Sequence, residues 1–278
     1  MIQFNQFNFA YHRKYPLYVD LNISLTQGKI YGLFGKNGAG KSTLLKNITG
    51  LNRPKSGTVT VNGMTPHYRQ PQFLNDIFMI PEEVYIPSIS PENYIKTYGA
   101  YYPKFSESEF KANLEQFDVP KTKNLTRLSF GQQKKFIIAF ALACNTSILI
   151  MDEPTNGLDI PSKSEFRKLM AKSISDEKIF IISTHQVRDL DHILDHILII
   201  NSGKVIIDAS IAAITEKIAF NFYTNPPLST ESVIAMEEII GGYAVMEHNT
   251  DGDETSINLE QLFNTAVMKT PEIHSIFN

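Results

Sequence analysis

One stretch of the sequence has the residue types and spacing of a phosphate-binding loop, Gly35-Lys36-Asn37-Gly38-Ala39-Gly40-Lys41-Ser42-Thr43. It fits the pattern G-x-x-x-x-G-K-[S/T], and it lies between a short apolar segment and the helix-forming pair Leu44-Leu45. Glycines let the backbone wrap a phosphate chain with its N–H groups pointing inward, and a following helix adds a favourable dipole. Lys41 is expected to bridge the β- and γ-phosphates, and Ser42 is expected to ligate Mg²⁺. The alternative is a plain glycine-rich turn before a helix.

Two carboxylates follow a continuous apolar run, Ile148-Leu149-Ile150-Met151, at Asp152 and Glu153. Such a run is typical of a buried parallel strand, and ligands bind at the carboxyl edge of parallel sheets. Asp152 would hold Mg²⁺, directly or through water, and Glu153 could polarise the water that attacks a γ-phosphate. A strand that simply ends in a charged turn is the alternative, but the phosphate loop upstream favours nucleotide hydrolysis.

A third motif identifies a family. Leu128-Ser129-Phe130-Gly131-Gln132-Gln133-Lys134-Lys135 resembles the signature motif of ABC-type ATPases, usually LSGGQ, and precedes Asp152 at a very similar spacing. Tyr11 matches the family's aromatic that stacks on adenine. Gly157-Leu158-Asp159 matches the loop that touches a partner subunit, and Ser183-Thr184-His185 matches the switch histidine. The chain therefore resembles the ATP-binding subunit of an exporter-type ABC transporter, in which a separate protein forms the membrane subunit.

The resemblance covers about residues 1–210 and implies ATP and Mg²⁺ as cofactors. It implies ATP hydrolysis that drives transport, with export the favoured direction, through an integral membrane permease. The expected location is cytoplasmic, at the inner face of the membrane. The resemblance also implies a head-to-tail dimer, here a homodimer, in which Ser129, Gly131 and Gln132 contact the partner chain's ATP. Asp159 would contact the partner, and His185 would contact the γ-phosphate.

Two positions depart from the family pattern. Phe130 stands where the signature usually has a second glycine, which requires that Phe130 avoid positive φ and point away from the phosphate. The alternative is that Phe130 slows ATP hydrolysis.

Glu82, in Met79-Ile80-Pro81-Glu82-Glu83, stands where the family usually has Gln. Ionised Glu only accepts hydrogen bonds, yet it could ligate Mg²⁺ and orient water. Exporters that confer self-protection against lantibiotic peptides resemble this chain in carrying Glu there; a shifted alignment is the alternative.

Composition bounds the class of protein. The chain has 278 residues with 42% hydrophobic and 20% charged residues, which is ordinary for a globular protein of one or two domains. The net charge of −3 gives no general attraction for nucleic acid, so no nucleic-acid partner is expected. The single cysteine, Cys144, excludes an intrachain disulfide and a cysteine-rich zinc site. Met1–Asn5 lacks a basic region before an apolar core, so we expect no signal peptide.

The pattern along the chain predicts an α/β fold. We expect a P-loop NTPase core with an N-terminal antiparallel β-subdomain, an inserted α-helical subdomain at about 88–145 and a small C-terminal appendage. In the first strand the apolar phase shifts between Phe4 and Phe7, which predicts a bulge or a bend. The helical subdomain carries a cluster of tyrosines that could grip a membrane partner or pack in the core: Tyr94, Tyr98, Tyr101 and Tyr102.

Charge divides the chain at about residue 210. Residues 210–278 carry ten acidic and two basic side chains, whereas residues 1–209 are net positive. We therefore expect an ABC-type ATPase domain at 1–209 and an accessory region at 210–278. Asn258-Leu259-Glu260-Gln261-Leu262-Phe263 resembles the C-terminal helix common in single-domain exporter ATPases. The alternative function is an ABC-type ATPase without a membrane partner, with a regulatory or nucleic-acid-associated role.

Overall fold

The computed structural model describes all residues except 191, 228, 251, 253, 254 and 278. Within the described residues the chain forms three β-sheets and nine α-helices. The strands are β1 Ile2–Phe9, β2 Tyr18–Leu25, β3 Lys29–Phe34, β4 Ser56–Val61, β5 Ile77–Ile80, β6 Ile148–Asp152, β7 Ile179–Thr184, β8 His196–Asn201, β9 Lys204–Ser210, β10 Ile218–Tyr223, β11 Val233–Ile239 and β12 Gly242–His248. The helices are α1 Lys41–Ile48, α2 Pro71–Leu74, α3 Pro91–Tyr98, α4 Glu107–Gln116, α5 Phe130–Ala143, α6 Ile160–Ser173, α7 Ile211–Lys217, α8 Leu259–Met268 and α9 Thr270–Phe277.

The central sheet has six strands in the order β5-β6-β7-β3-β8-β9. Its strands are parallel except for β9, which runs antiparallel to β8 at the edge. Strands β6 and β7 are buried on both faces, as their continuous apolar runs predict. Because β3, β6 and β7 are parallel neighbours, their carboxyl ends meet at one edge of the sheet. The segments that follow these three strands are therefore brought together.

The N-terminal sheet is antiparallel, with β1 between β2 and β4. Its pairing shifts register between Phe4 and Phe7, and Gln6 adopts a left-handed φ of 47°. This confirms the predicted bulge, since one extra residue restores Phe7 to the buried face. The sheet ends near Tyr18, whose hydroxyl donates to the carbonyl oxygen of Gly40 at 2.9 Å. The N-terminal sheet therefore supports the phosphate loop.

The helical segment consists mainly of α3, α4 and α5, which pack through aromatic rings around Phe140. Tyr94 is buried and stacks edge-on against Phe140 with ring centroids 5.0 Å apart. Tyr101 is 64% exposed. Core packing therefore accounts for the inner members of the tyrosine cluster, whereas Tyr101 lies at the surface, where contact with a membrane partner stays a prediction.

The C-terminal region forms a third sheet, β10-β12-β11, with α8 and α9 packed beside it. Most of its buried apolar residues join the hydrophobic core that also includes Phe34, Met151 and Phe180 of the central sheet. The rings of Phe263 and Phe34 lie 6.5 Å apart, and Phe34 is the last residue before the phosphate loop. In the described parts of the chain, every helix is too short or too polar to cross a bilayer.

Candidate active site

The phosphate loop joins β3 to α1, and glycines set its path. Gly38 and Gly40 adopt positive φ angles of 81° and 116°, a region that side chains with a Cβ atom rarely occupy. At Gly40 a Cβ atom would also come within 2.5 Å of the Tyr18 hydroxyl. The backbone therefore turns tightly enough for α1 to begin at Lys41. This places the start of the helix at the loop, where its dipole favours an anion.

Lys41 is buried at the base of the loop. Its Nζ donates to the carbonyl oxygen of Gly35 at 2.7 Å. Burial lowers the pKa of Lys41, and the nearby carboxylates of Glu153, Asp152 and Glu82 oppose that shift. The ammonium is thus held beside the loop backbone, where it can exchange a carbonyl contact for phosphate oxygens.

The two acids at the end of β6 are both buried. The hydroxyl of Ser183 donates to Asp152 Oδ1. Glu153 is fixed by three contacts, since Thr184 Oγ1 donates to its Oε2 at 2.9 Å and the backbone N–H of His185 donates to its Oε1 at 3.0 Å. The third contact joins His185 Nδ1 and Glu153 Oε1 at 2.7 Å. Glu153 therefore has little rotational freedom.

His185 follows β7 directly and connects Glu153 to solvent. Its side chain is 43% exposed, whereas that of Glu153 is 5% exposed. One ring nitrogen contacts Glu153, so the other nitrogen is available to a ligand on the open side. His185 therefore joins the buried carboxylate of Glu153 to the open side of the cavity.

A cavity of about 700 Å³ brings most of the predicted site residues together. Its volume lies within the range of small-molecule sites, roughly 300–1,000 Å³. Gly35 and Ala39 form the loop behind it, with Ala39 buried. The predicted residues that line the cavity are Tyr11, Lys36, Asn37, Gly38, Gly40, Lys41, Ser42, Thr43, Glu82, Asp152, Glu153 and His185.

Tyr11 lies at the mouth of this cavity, beyond the end of β1. It is 58% exposed, and its ring meets Phe9 edge-on with centroids 5.0 Å apart. Its hydroxyl is 3.2 Å from Thr43 Oγ1 in α1. Phe9 and Thr43 thus hold an exposed aromatic ring close to the phosphate loop, which suits stacking against a planar base.

The signature residues lie elsewhere. Ser129 is the N-cap of α5, where its Oγ accepts from the N–H of Gln132 at 3.3 Å and its N–H donates to Gln132 Oε1 at 2.9 Å. These two reciprocal hydrogen bonds form a capping box, so Ser129 also serves as an ordinary helix cap. Among the described residues, the lining of the phosphate cavity does not include Ser129, Gly131 or Gln132. One chain therefore brings together only part of the predicted nucleotide contacts.

The signature packs against the loop that precedes α6. A Cβ atom on Gly131 would lie 2.7 Å from the carbonyl oxygen of Gly157, so glycine is needed at this close approach. Asp159 is the N-cap of α6 and accepts from the N–H of Ser162 at 2.9 Å. Hydrogen bonds from the Ser162 hydroxyl and backbone lower the pKa of Asp159. Phe130 avoids positive φ, as its position requires, and its ring lies against Gly157.

Sequence reasoning missed three residues of the site. Ser183 and Thr184 fix Asp152 and Glu153, whereas the sequence motif indicates them only as neighbours of the switch histidine. Lys134 lies wholly inside the protein, and its Nζ donates to the main-chain oxygen of Glu153 at 2.5 Å. Lys134 stands in the polar stretch 132–135 at the start of α5, so the local sequence carries no signal that this lysine is buried.

The donor set fits Mg²⁺ that arrives with a nucleotide. No cluster of three or more His, Cys, Asp or Glu side chains suited to a metal occurs in the described ranges. The cavity does gather the oxygen donors Ser42, Asp152 and Glu82. Mg²⁺ commonly binds through one or two carboxylates together with phosphates and water, so these oxygens suffice only when phosphates complete the site.

Comparison with known proteins agrees with this geometry. Residues 18–156, half of the chain, match the family described as ABC transporter. NatA, an ABC transporter ATP-binding protein of Bacillus subtilis, is 30% identical to this chain. The aligned region covers 71% of this chain and 83% of NatA. The energy-coupling factor transporter ATP-binding protein EcfA2 of Ligilactobacillus salivarius is 31% identical, with coverage of 75% and 78%.

A solved structure gives the same result. It is that of cbiO1 from Clostridium perfringens, described as part of the ABC transporter complex cbiONQ, and it is 26% identical with a TM-score of 0.64. The match covers 75% of this chain and 88% of cbiO1. With the phosphate loop, the paired acids and the histidine at one sheet edge, these similarities lead to one conclusion: this chain belongs to the ABC transporter family, as an ATP-hydrolysing, ATP-binding subunit.

Proposed function

We propose that the chain hydrolyses Mg-ATP in a head-to-tail homodimer and thereby drives export through a separate membrane permease. The observation that carries this proposal is the division of the site. The phosphate loop lines one cavity, whereas Ser129 and Gly131 lie at the start of α5, outside its lining. A second chain arranged head-to-tail would bring its signature to this cavity and complete the nucleotide contacts.

Within one half-site, each predicted residue has a specific task. The loop N–H groups and Lys41 bind the phosphates, and Tyr11 stacks on the base. Ser42, Asp152 and Glu82 would hold Mg²⁺, which neutralises charge on the phosphate oxygens. Glu153 accepts a proton from the attacking water as general base. Its contacts with Thr184 and His185 support this role because they fix the direction of the carboxylate.

The second half-site contributes anion contacts from the partner. Ser129 Oγ and the backbone N–H groups at the start of α5 would meet the γ-phosphate of the partner's ATP, with Gln132 beside them. Asp159 would contact the facing subunit from its exposed cap position. ATP binding then favours the closed dimer through these contacts, and hydrolysis removes them and favours opening. His185 couples the two events, since it contacts Glu153 and faces the γ-phosphate position.

A groove between β5 and the helical segment is the proposed docking site for the permease. It has a volume of about 520 Å³, and its lining is largely apolar and aromatic. Tyr101 stands exposed at its rim. The other tyrosines that line it are Tyr94, Tyr98 and Tyr102. Docking there would hold the chain at the cytoplasmic face of the membrane, and EcfA2 and cbiO1 are both described as members of transporters.

Export is the proposed direction. The segment Asn258–Phe263 resembles the C-terminal helix of single-domain exporter ATPases, and α8 begins there with Asn258 as its N-cap. The Asn258 side chain accepts from the N–H of Gln261 at 3.0 Å. Transport of substrate into inverted membrane vesicles that contain the complex would support export, whereas ATP-dependent loss from preloaded vesicles would contradict it.

Co-purification tests the transporter role. Tagged protein from gently solubilised host membranes is expected to bring down a multi-span membrane protein in stoichiometric amount. Tyr101→Glu should reduce this recovery, because it places a charge in the apolar groove. Phe222→Glu, at a similarly exposed aromatic of the C-terminal sheet, should not reduce it. Recovery only with ribosomes, DNA or no partner would contradict the transporter role and favour a non-transport ATPase.

A further inference from the structure

Lys134 is buried in α5 and contacts the backbone of the proposed general base. The side chain has no exposed surface, and its Nζ donates to the main-chain oxygen of Glu153 at 2.5 Å. Glu153 itself adopts a left-handed φ of 48°, which is uncommon for a residue other than glycine. The ammonium therefore holds the carbonyl of a backbone turn that would otherwise be free to relax.

A buried ammonium needs compensation. Burial lowers the pKa of Lys134, and the charges of Glu82, Glu153 and Asp152 raise it again. A neutral donor could satisfy one carbonyl oxygen at a smaller desolvation penalty. The position of a charged group among the acids of the phosphate cavity therefore points to a role in that cavity, beyond satisfying a single hydrogen bond.

Phe130 covers the same ammonium. Its ring centroid is 5.5 Å from Lys134 Nζ, within the range of a cation–π contact. The Phe130 ring also lies against Gly157, in the loop that leads to Asp159. Phe130, which departs from the family signature, therefore contacts both Lys134 and the loop that leads to Asp159. The signature and this loop are the two segments proposed to meet the partner chain.

We propose that Lys134 is a positioning residue for hydrolysis. By fixing the carbonyl of Glu153, it holds the left-handed turn that directs the Glu153 carboxylate toward Thr184 and His185. Lys134 itself touches neither the nucleotide nor the attacking water. This inference rests on the proposed role of Glu153 as general base.

Steady-state ATPase kinetics of the full chain test the proposal. Lys134→Met keeps an unbranched side chain one atom shorter than lysine and removes its donor and charge. We expect kcat to fall by ~10–100-fold, because small misplacement of a reacting group costs up to about two orders of magnitude in rate. The KM for Mg-ATP and the Kd of a fluorescent ATP analogue should change by less than about threefold, since Lys134 does not line the nucleotide cavity.

Lys178→Met is the matched control. Lys178 is half-buried, whereas Lys134 is fully buried, and the Nζ of Lys178 donates to the main-chain oxygen of Ser173 at 3.0 Å and to Asn145 Oδ1 at 2.9 Å. It lies at the amino end of β7, at the opposite edge of the sheet from the phosphate loop. We expect Lys178→Met to lower the melting temperature and to leave kcat unchanged.

Lys134→Gln extends the test if the methionine variant does not fold. It keeps a neutral donor of shorter reach, so we expect kcat between those of wild type and Lys134→Met. Wild-type kcat in either folded variant, or a fall in kcat matched by an equal loss of ATP-analogue binding, would overturn the proposal.

Glu153→Gln separates the positioning role of Lys134 from the general-base role of Glu153. If that variant hydrolyses ATP at the wild-type rate, the role of Glu153 fails; if it is inactive while Lys134→Met is fully active, only the positioning role fails.

Discussion

Glu153 occupies a left-handed backbone turn, and this position determines which groups its carboxylate can reach. Both oxygens face the end of β7, where Thr184 and the next residue, His185, contact them at 2.7–3.0 Å. A residue held in such a turn carries a conformational cost of about 1–3 kcal/mol, which the surrounding contacts must offset. The geometry is therefore consistent with a carboxylate fixed in advance for proton transfer.

Replacing Glu153 with Gln is the direct test at this residue. The amide keeps the size of the side chain and loses the proton acceptor, so ATP turnover should fall by ~10²–10⁴-fold. ATP-analogue binding should persist, because Lys41 and the loop backbone are intact. Turnover under saturating Mg-ATP measures the first quantity, and fluorescence titration measures the second. Wild-type turnover in this variant would rule out the general-base assignment.

Cys144 offers a second test at the residue scale. It is buried at the C-cap of α5, and burial raises the pKa of its thiol. The folded protein should therefore keep the thiol protonated at pH 8, while the unfolded chain ionises near its usual pKa of about 8.5. We expect negligible reaction with a thiol reagent in the native protein and rapid reaction in denaturant. Rapid native labelling would contradict the burial of this site.

The site residues differ in how visible they are in the sequence. Asp152 ends β6 with Glu153 next to it, and His185 directly follows β7, so adjacency in the chain reveals them. Thr184 and Lys134 gain their roles only from contacts with Glu153, from other elements of the fold. Such roles depend on tertiary packing, which no local pattern encodes.

At the scale of elements, the phosphate loop depends on the fit between its glycines and the N-terminal sheet. Gly40→Ala would place a methyl group at a φ of 116° and within 2.5 Å of the buried Tyr18 hydroxyl. We expect a loss of about 1–3 kcal/mol in the free energy of unfolding, together with weaker ATP-analogue binding. Urea unfolding and fluorescence titration measure the two effects.

Gly63→Ala is the comparison for this prediction. Gly63 has a φ of 77°, but a methyl group there would meet no atom within 4 Å. It should therefore carry only the conformational cost of the left-handed turn, about 1–2 kcal/mol, and leave ATP-analogue binding unchanged. Equal effects of the two substitutions on nucleotide binding would contradict the argument from close contact.

Periodicity predicted several elements from particular residues. The change of apolar phase between Phe4 and Phe7 located the bulge in β1, and the continuous apolar run before Asp152 located β6. The pairing of β3 with both β7 and β8 could not be read in the same way. Parallel strands distant in sequence pair through tertiary contacts, and their individual patterns do not specify the order.

At the scale of the molecule, the charge division near residue 210 coincides with a change of sheet but not with a break in the core. The strand β9 ends at Ser210, and α7 begins at Ile211. Ile214 and Leu262 are nevertheless buried in the same core as Phe34. Arg188, shortly after the switch histidine, pairs with Glu260 of α8. The C-terminal region thus packs against segments that border the active site, which charge alone could not reveal.

The central claim is that two chains share each ATP site. Light scattering coupled to size exclusion tests it most directly with Glu153→Gln, which should bind ATP without turnover. Without nucleotide the variant should have the mass of one chain, 31.4 kDa. With Mg-ATP it should have twice that mass.

Ser129→Arg combined with Glu153→Gln is the control. A bulky charge at the signature should prevent its contact with the partner's phosphates, so this variant should remain a monomer with Mg-ATP. The account predicts an ATP-dependent dimer that requires an intact signature. A Glu153→Gln chain that stays monomeric at saturating Mg-ATP, or a dimer that forms equally well with Arg at position 129, would contradict it.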